Sequence, residues 1–143
     1  MFTFSFVQAQ SDLVITEIMY NRPESGVDST EYIEFYNSVS STIDLTGYSF
    51  KMGFTYVFRA STIASGEYFV ITVDSAAHRN VYGTGANAQW TTGSLSNGGE
   101  SIVLGDAKGV TLDSLRYDDV SPWPIGPPSP DGTGSSIVLC DYT

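Results

Sequence analysis

A chain of 143 residues carrying 16 acidic and 6 basic side chains, net charge −10, has the length of one domain and repels phosphate backbones, which disfavours nucleic acid as a partner. A single cysteine, Cys140, excludes an intrachain disulfide, and a single histidine, His78, excludes any site that needs two. Charged residues make up only 15% and aromatics 13%, a balance that points to a β-rich, extracellular type of domain rather than a helical cytosolic one.

Met1–Gln10 reads MFTFSFVQAQ. The apolar run ends in Val7-Gln8-Ala9, which fits the small residues of a signal-peptidase site, so residues 1–10 are expected to be the remnant of a secretory signal and 11–143 the domain itself. The other reading is a strand with Phe2, Phe4 and Phe6 on one face, which would need a cover such as a second copy. Leu13–Tyr20 is the first expected strand. Glu31–Asn37 is its partner: Ile33 and Phe35 share one face, while Tyr32, Glu34 and Tyr36 share the other, which is expected to meet water. Pro23 and Gly26 mark the loop between the two.

Tyr48–Met52 and Phe54–Phe58 form a hairpin by spacing, broken at Gly53. Glu67–Asp74 contains the run YFVITV, expected to be buried on both faces. Ser75–Tyr82 is the only expected helix, capped by Asp74 or Ser75. After the glycine-rich stretch Gly83–Gly99, Glu100–Leu104 and Val110–Tyr117 form a second hairpin about Asp106-Ala107-Lys108-Gly109. Asp118–Gly134 is a proline-rich loop, and Ser135–Cys140 is the last strand. About eight short antiparallel strands with turns between them predict an all-β sandwich, and no apolar run approaches the ~20 residues of a membrane span.

Several segments, taken in order, resemble the lamin-tail domain family and its immunoglobulin-like β-sandwich, in a bacterial secreted form. They are Leu13-Val14-Ile15-Thr16-Glu17-Ile18-Met19-Tyr20-Asn21, Glu31-Tyr32-Ile33-Glu34-Phe35-Tyr36-Asn37, Ile43-Asp44-Leu45-Thr46-Gly47-Tyr48, Ile63-Ala64-Ser65-Gly66-Glu67-Tyr68 and Leu95–Leu104. The ending Leu112-Asp113-Ser114, Tyr117, Trp123-Pro124 and Asp131–Ile137 follows the same pattern. One departure is Tyr32, where the family often has tryptophan. The resemblance implies a non-catalytic module, appended to secreted or surface proteins, that contacts protein partners or other domains of a parent chain.

Glu17 and Glu34 are the sharpest chemical candidates. If their strands pair, the two carboxylates share a face at a spacing a retaining glycosidase or a cation site would use. The plainer reading bonds each to tyrosine hydroxyls, or to Lys51 or Arg116, and the resemblance favours it. Loop carboxylates suit one structural calcium ion, with Asp118, Asp119 and Asp131 as the expected ligands, and no other cofactor is expected. Trp90, Trp123, Tyr82 and Tyr20 lie in or beside loops and are candidate contacts for a sugar or a protein, although Trp123, between Pro122 and Pro124, could instead plug an end of the sandwich. His78 reads as solvated and Cys140 as a buried thiol. The expected function is a binding or structural module of a secreted or cell-surface protein, with a homo-oligomer through the N-terminal strand or a sheet edge as a possibility. The alternative is a calcium- or carbohydrate-binding accessory domain of a secreted hydrolase.

Overall fold

The computed structural model describes residues 11–23, 26–90 and 92–139. The expectations for Met1–Gln10 and Cys140, and with them the oligomer through the N-terminal strand, lie outside the described residues. Among the described residues, twelve strands and one helix follow in order: β1 (Leu13–Met19), β2 (Tyr32–Asn37), β3 (Ile43–Asp44), β4 (Ser49–Phe50), β5 (Phe54–Val57), β6 (Thr62–Ile63), β7 (Tyr68–Thr72), α1 (Ser75–Tyr82), β8 (Ala88–Gln89), β9 (Thr92–Gly93), β10 (Glu100–Gly105), β11 (Thr111–Tyr117) and β12 (Ile137–Val138). One sheet has the order β12-β1-β2-β7-β8, the other β11-β10-β4-β5-β9, and β3-β6 form a small ribbon. Every pairing is antiparallel except β7 with β8. The expected immunoglobulin-like β-sandwich is the fold.

Alternation along the strands builds the core. Leu13, Ile15, Ile18, Ile33, Phe35 and Ile71 from the first sheet join Phe50, Phe54, Ile102, Leu104 and Tyr117 from the second in one buried cluster. Phe35 sits at its centre, stacked on Phe69 with centroids 5.1 Å apart and edge-on to Phe58 at 5.8 Å. Asn37 closes one end of β2: its buried side-chain amide donates to the carbonyls of Ser41 at 2.8 Å and Ile63 at 3.0 Å.

The β1–β2 pairing has the expected parity, with a bulge between Ile15 and Glu17. Across the sandwich, the buried Asp113 of β11 accepts from the Ile15 amide at 3.0 Å, so a carboxylate on one sheet holds the backbone of the other beside that bulge. The last strand closes on the first: β12 pairs with β1, and the Leu139 amide continues the ladder to the Thr16 carbonyl at 2.8 Å.

Helix α1 begins and ends where the sequence placed it. Asp74 accepts from the amides of Ala76 and Ala77, and Gly83, at φ 74°, ends the helix in the left-handed region with its amide bonded to the Arg79 carbonyl. What the sequence did not show is where α1 lands. It lies on the outer face of the first sheet, with His78 and Tyr82 edge-on to Tyr32 at 5.4 and 5.3 Å. Tyr32, expected to meet water, is therefore buried. His78, expected to be solvated, is only 4% exposed, with its Nδ1 3.1 Å from the Thr84 carbonyl. Tyr68, expected to be buried, is 44% exposed, because α1 covers the opposite end of that face.

The glycine-rich stretch after α1 is also structured. β8 is the edge of the first sheet and β9 the edge of the second. Between them Trp90 turns inward, its amide bonded to the Thr72 carbonyl at 3.0 Å and its ring stacked on Phe54 at 4.1 Å.

Candidate functional site

Two places gather the residues singled out in the sequence. The first is the outer face of the first sheet. Glu17 and Glu34 are direct register partners on β1 and β2, as the sequence predicts. Each is bound by a hydroxyl. Tyr32 donates to Glu17 Oε1 at 2.5 Å, and Ser136, just before β12, donates to the same oxygen. Thr16, the residue at the bulge, donates to Glu34 Oε1 at 2.8 Å. The expected alternatives Lys51 and Arg116 lie on the other sheet, bonded to the Gly109 carbonyl and paired with Asp118.

This geometry shifts two protons. Burial pushes the Tyr32 phenol far above its ordinary value, aided by the bond it donates to Glu17 and by that carboxylate's charge. Burial also raises Glu34, and the charge of Glu17 adds to the rise, while the Thr16 hydroxyl opposes it. Glu34 therefore keeps its proton to higher pH in the folded chain than in the unfolded one. The folded state binds more protons in that window, so this contribution is fully present at low pH. It is lost as the pH climbs from the ordinary glutamate range through the raised folded value. Glu34→Gln is expected to flatten that part of the stability profile. Urea midpoints at stepped pH check this, and an unchanged slope in the variant would show that Glu34 does not carry it.

Chemically, the pair is arranged for structure. One oxygen of Glu17 is bound by two hydroxyls, and Ser136 on it ties β12 to β1. The nearest cavity, about 100 Å³, is an apolar groove lined by Ile15, Ile18, Leu115, Trp123 and Ile137 among others, smaller than the ~300 Å³ at which ligand pockets begin.

The second place is the end of the sandwich where residues 20–23 and 28–31 meet the loops 94–99 and 118–136. Asn21 donates to Asp131 Oδ1 at 2.5 Å, Asn97 donates to Asp28 at 3.1 Å, and the Leu95 amide donates to the buried Glu31 at 2.8 Å. Tyr117 donates its phenol to the Ser96 carbonyl, 2.7 Å away, and lies 3.1 Å from Glu100. Burial and the Glu100 carboxylate together push that phenol far up. Gly99 lets loop 94–99 lie against β11: at φ 89°, an added Cβ would fall 2.6 Å from the Tyr117 carbonyl oxygen.

Asp118, Asp119 and Asp131 all flank Tyr20. Burial raises the Tyr20 phenol, and the three negative charges raise it further. Asp131 is bonded to Asn21, and Asp118 accepts from the Asp119 amide at 3.0 Å and meets Arg116 at 3.5 Å. Among the described residues, no group of three or more acidic, histidine or cysteine side chains is gathered as a metal site.

Of the four aromatic contact candidates, two are corrected. Trp90 and Tyr20 are each 1% exposed, and they belong to the core, where Phe54 stacks on Trp90 and Tyr117 packs at a tilt against Tyr20. Trp123 is half-buried against the core, the plugging role its prolines made available. Tyr82 is half-buried on the sheet face, with Arg22 5.7 Å from its ring. Sequence reasoning missed Asp113 and Glu31 as buried anchors. Asp113 has the parity of Leu115 and Tyr117 along β11, and a carboxylate on an apolar face is the mark of such an anchor.

Comparison with known proteins agrees with this architecture. The Lamin Tail Domain family model matches residues 7–119, well over half of the chain. No curated protein matches. The matched span runs through β11, takes in the Glu17–Glu34 pair and α1, and stops before β12. The chain belongs to the lamin tail domain family, whose immunoglobulin-like domains are generally non-catalytic and mediate interactions.

Proposed function

We propose that this domain is a non-catalytic binding module of a secreted or cell-surface protein, holding protein partners or the neighbouring domains of a parent chain. The observation that carries this reading is the state of the Glu17–Glu34 pair. The Glu17 and Glu34 carboxylates, register partners across β1 and β2, are bound by Tyr32, Ser136 and Thr16 and hold strands together. The test compares the full parent protein with a version lacking this domain. Loss of bound partners or of surface retention, with any parent activity intact, supports the reading. An intact partner set with loss of turnover overturns it.

A second reading, a calcium-binding accessory domain, would draw on Asp118, Asp119 and Asp131 near Tyr20, carboxylates that are not gathered as one metal site among the described residues. Thermal melts in calcium and in EDTA separate the two. A ligand that binds only the folded state raises its stability, so a calcium-dependent rise reversed by EDTA and lost in Asp131→Asn supports this second reading. Coincident melts reject it.

A further inference from the structure

A groove of about 580 Å³ is shared by the two sheets, on the side away from β1 and β11. Its lining is Thr55, Tyr56 and Val57 of β5, Arg59 just after that strand, and Gln89 of β8. Strand β8 is the edge of the first sheet, and β5 lies one strand in from the edge of the second. The volume falls within the ~300–1,000 Å³ of small-ligand sites. The chain carries 16 acidic and 6 basic side chains, yet this lining holds one guanidinium and no carboxylate. Among the described residues Arg59 enters no ion pair, whereas Arg116 on the opposite edge is paired with Asp118. Gln89 is fixed in place: its Oε1 accepts from the Ser75 amide at the start of α1, 2.8 Å away, which leaves its Nε2 as a donor. The Tyr56 ring is held edge-on to the core residue Phe58, with centroids 5.0 Å apart.

We infer that this groove binds a sugar bearing a single carboxylate, a terminal uronate of a glycan, with the carboxylate on Arg59 and the sugar hydroxyls on Tyr56, Thr55 and Gln89. This ligand lies beyond the protein partners proposed above and does not depend on them. A guanidinium meets a carboxylate with two parallel N–H···O bonds, a match in direction as well as charge. The other lining groups are two neutral hydroxyls and an amide, which suit ring hydroxyls. An acidic peptide would bring carboxylates for one cation and few hydroxyls for the rest. The net charge of −10 also repels a polyanion, so one carboxylate among neutral hydroxyls suits the groove better than a run of them.

The test titrates the whole domain with the methyl glycosides of glucuronate and galacturonate, following amide chemical shifts. The methyl glycosides of glucose and galactose, with CH₂OH in place of the carboxylate, and a glutamate–serine peptide are the controls. The expected result is saturable binding of at least one uronate at about 1–10 mM, with shifts at Thr55, Tyr56, Val57 and Gln89. The neutral sugar of the same ring should bind at least about tenfold more weakly, as should the uronate to Arg59→Ala, while Arg59→Lys recovers part and Arg116→Ala changes nothing. Arg59 is exposed, so its truncation leaves the fold intact, which circular dichroism verifies. Equal binding of the neutral sugar would show that no carboxylate is read, and equal weakening in Arg116→Ala would show attraction to charge alone. Shifts of the groove by the glutamate peptide only would assign it to an acidic protein segment. Each of these results, or the absence of shifts with both uronates, overturns the inference.

Discussion

Trp90→Ala is expected to lower the unfolding free energy by about 3–5 kcal/mol, the cost of emptying a large aromatic site in a core. Three interactions are lost together. The ring leaves Phe54, on which it stacks at 4.1 Å and 19°. The indole N–H no longer reaches the Gly93 carbonyl at 3.1 Å. The space between β8 and β9 is left without its filler. A small domain has about 5–15 kcal/mol in all, so the variant should be partly unfolded at ordinary temperatures. Urea denaturation followed by far-ultraviolet circular dichroism measures this independently of tryptophan fluorescence. Trp90→Phe should keep a good part of the stability, since a ring remains against Phe54 while the indole hydrogen bond is lost. A Trp90→Ala loss below about 1 kcal/mol would mean that the site collapses around the smaller residue and that Trp90 does not hold the two edges.

Asp113→Ala is the second large effect. The carboxylate accepts from the Ile15 amide at 3.0 Å and from the Ser114 amide at 2.8 Å, and it is buried. Alanine strands the buried Ile15 amide, at about 1–3 kcal/mol for a buried unmet group, whereas Ser114 is exposed and its amide loses less. Asp113→Asn should recover only part, because an asparagine offers one oxygen where two are used and turns an N–H₂ toward one of the donors. Denaturant midpoints for the three proteins should therefore fall in the order Asp, Asn, Ala. Hydrogen exchange at the Ile15 amide should accelerate most, since that donor loses its partner across the sandwich. A slow Ile15 amide in the alanine variant would show that another acceptor replaces Asp113.

The sandwich, the β1–β2 pairing and the Glu17–Glu34 register were legible because long strands carry their periodicity openly. Ile33 and Phe35 could only face inward together, and that parity fixed Glu34 outward. Helix α1 was legible through Asp74 and the alanines after it. Its docking face was not, because which residues lie on Tyr32 depends on where the chain returns after β7. That return explains the burial of His78 and Tyr32. The ribbon β3-β6 and the edge strands β8 and β9 are two residues each, too short for a period of two to show. Glycine-rich composition around Trp90 resembled an exposed loop, and only the neighbouring Phe54 reveals a core position. At the loop end, acidic residues pointed to a cation. In the folded chain Asp131 is bonded to Asn21 and Asp118 is shared between the Asp119 amide and Arg116.

The closing of β12 onto β1 has a consequence for how the domain is made. The strand that leaves the ribosome first among those described acquires its outer neighbour last, more than a hundred residues later, through Ile18–Ile137, Glu17–Val138 and the Ser136 hydroxyl. Until those residues emerge, β1 has one side of its backbone open and Glu17 lacks the Ser136 donor, keeping only that of Tyr32, and such an edge is a template for pairing with any extended chain nearby. Synthesis therefore carries a long interval in which the nascent sheet is sticky and incomplete. A chain shortened before Ile137 is expected to remain in that state, prone to clumping, even though it retains every residue of the family match.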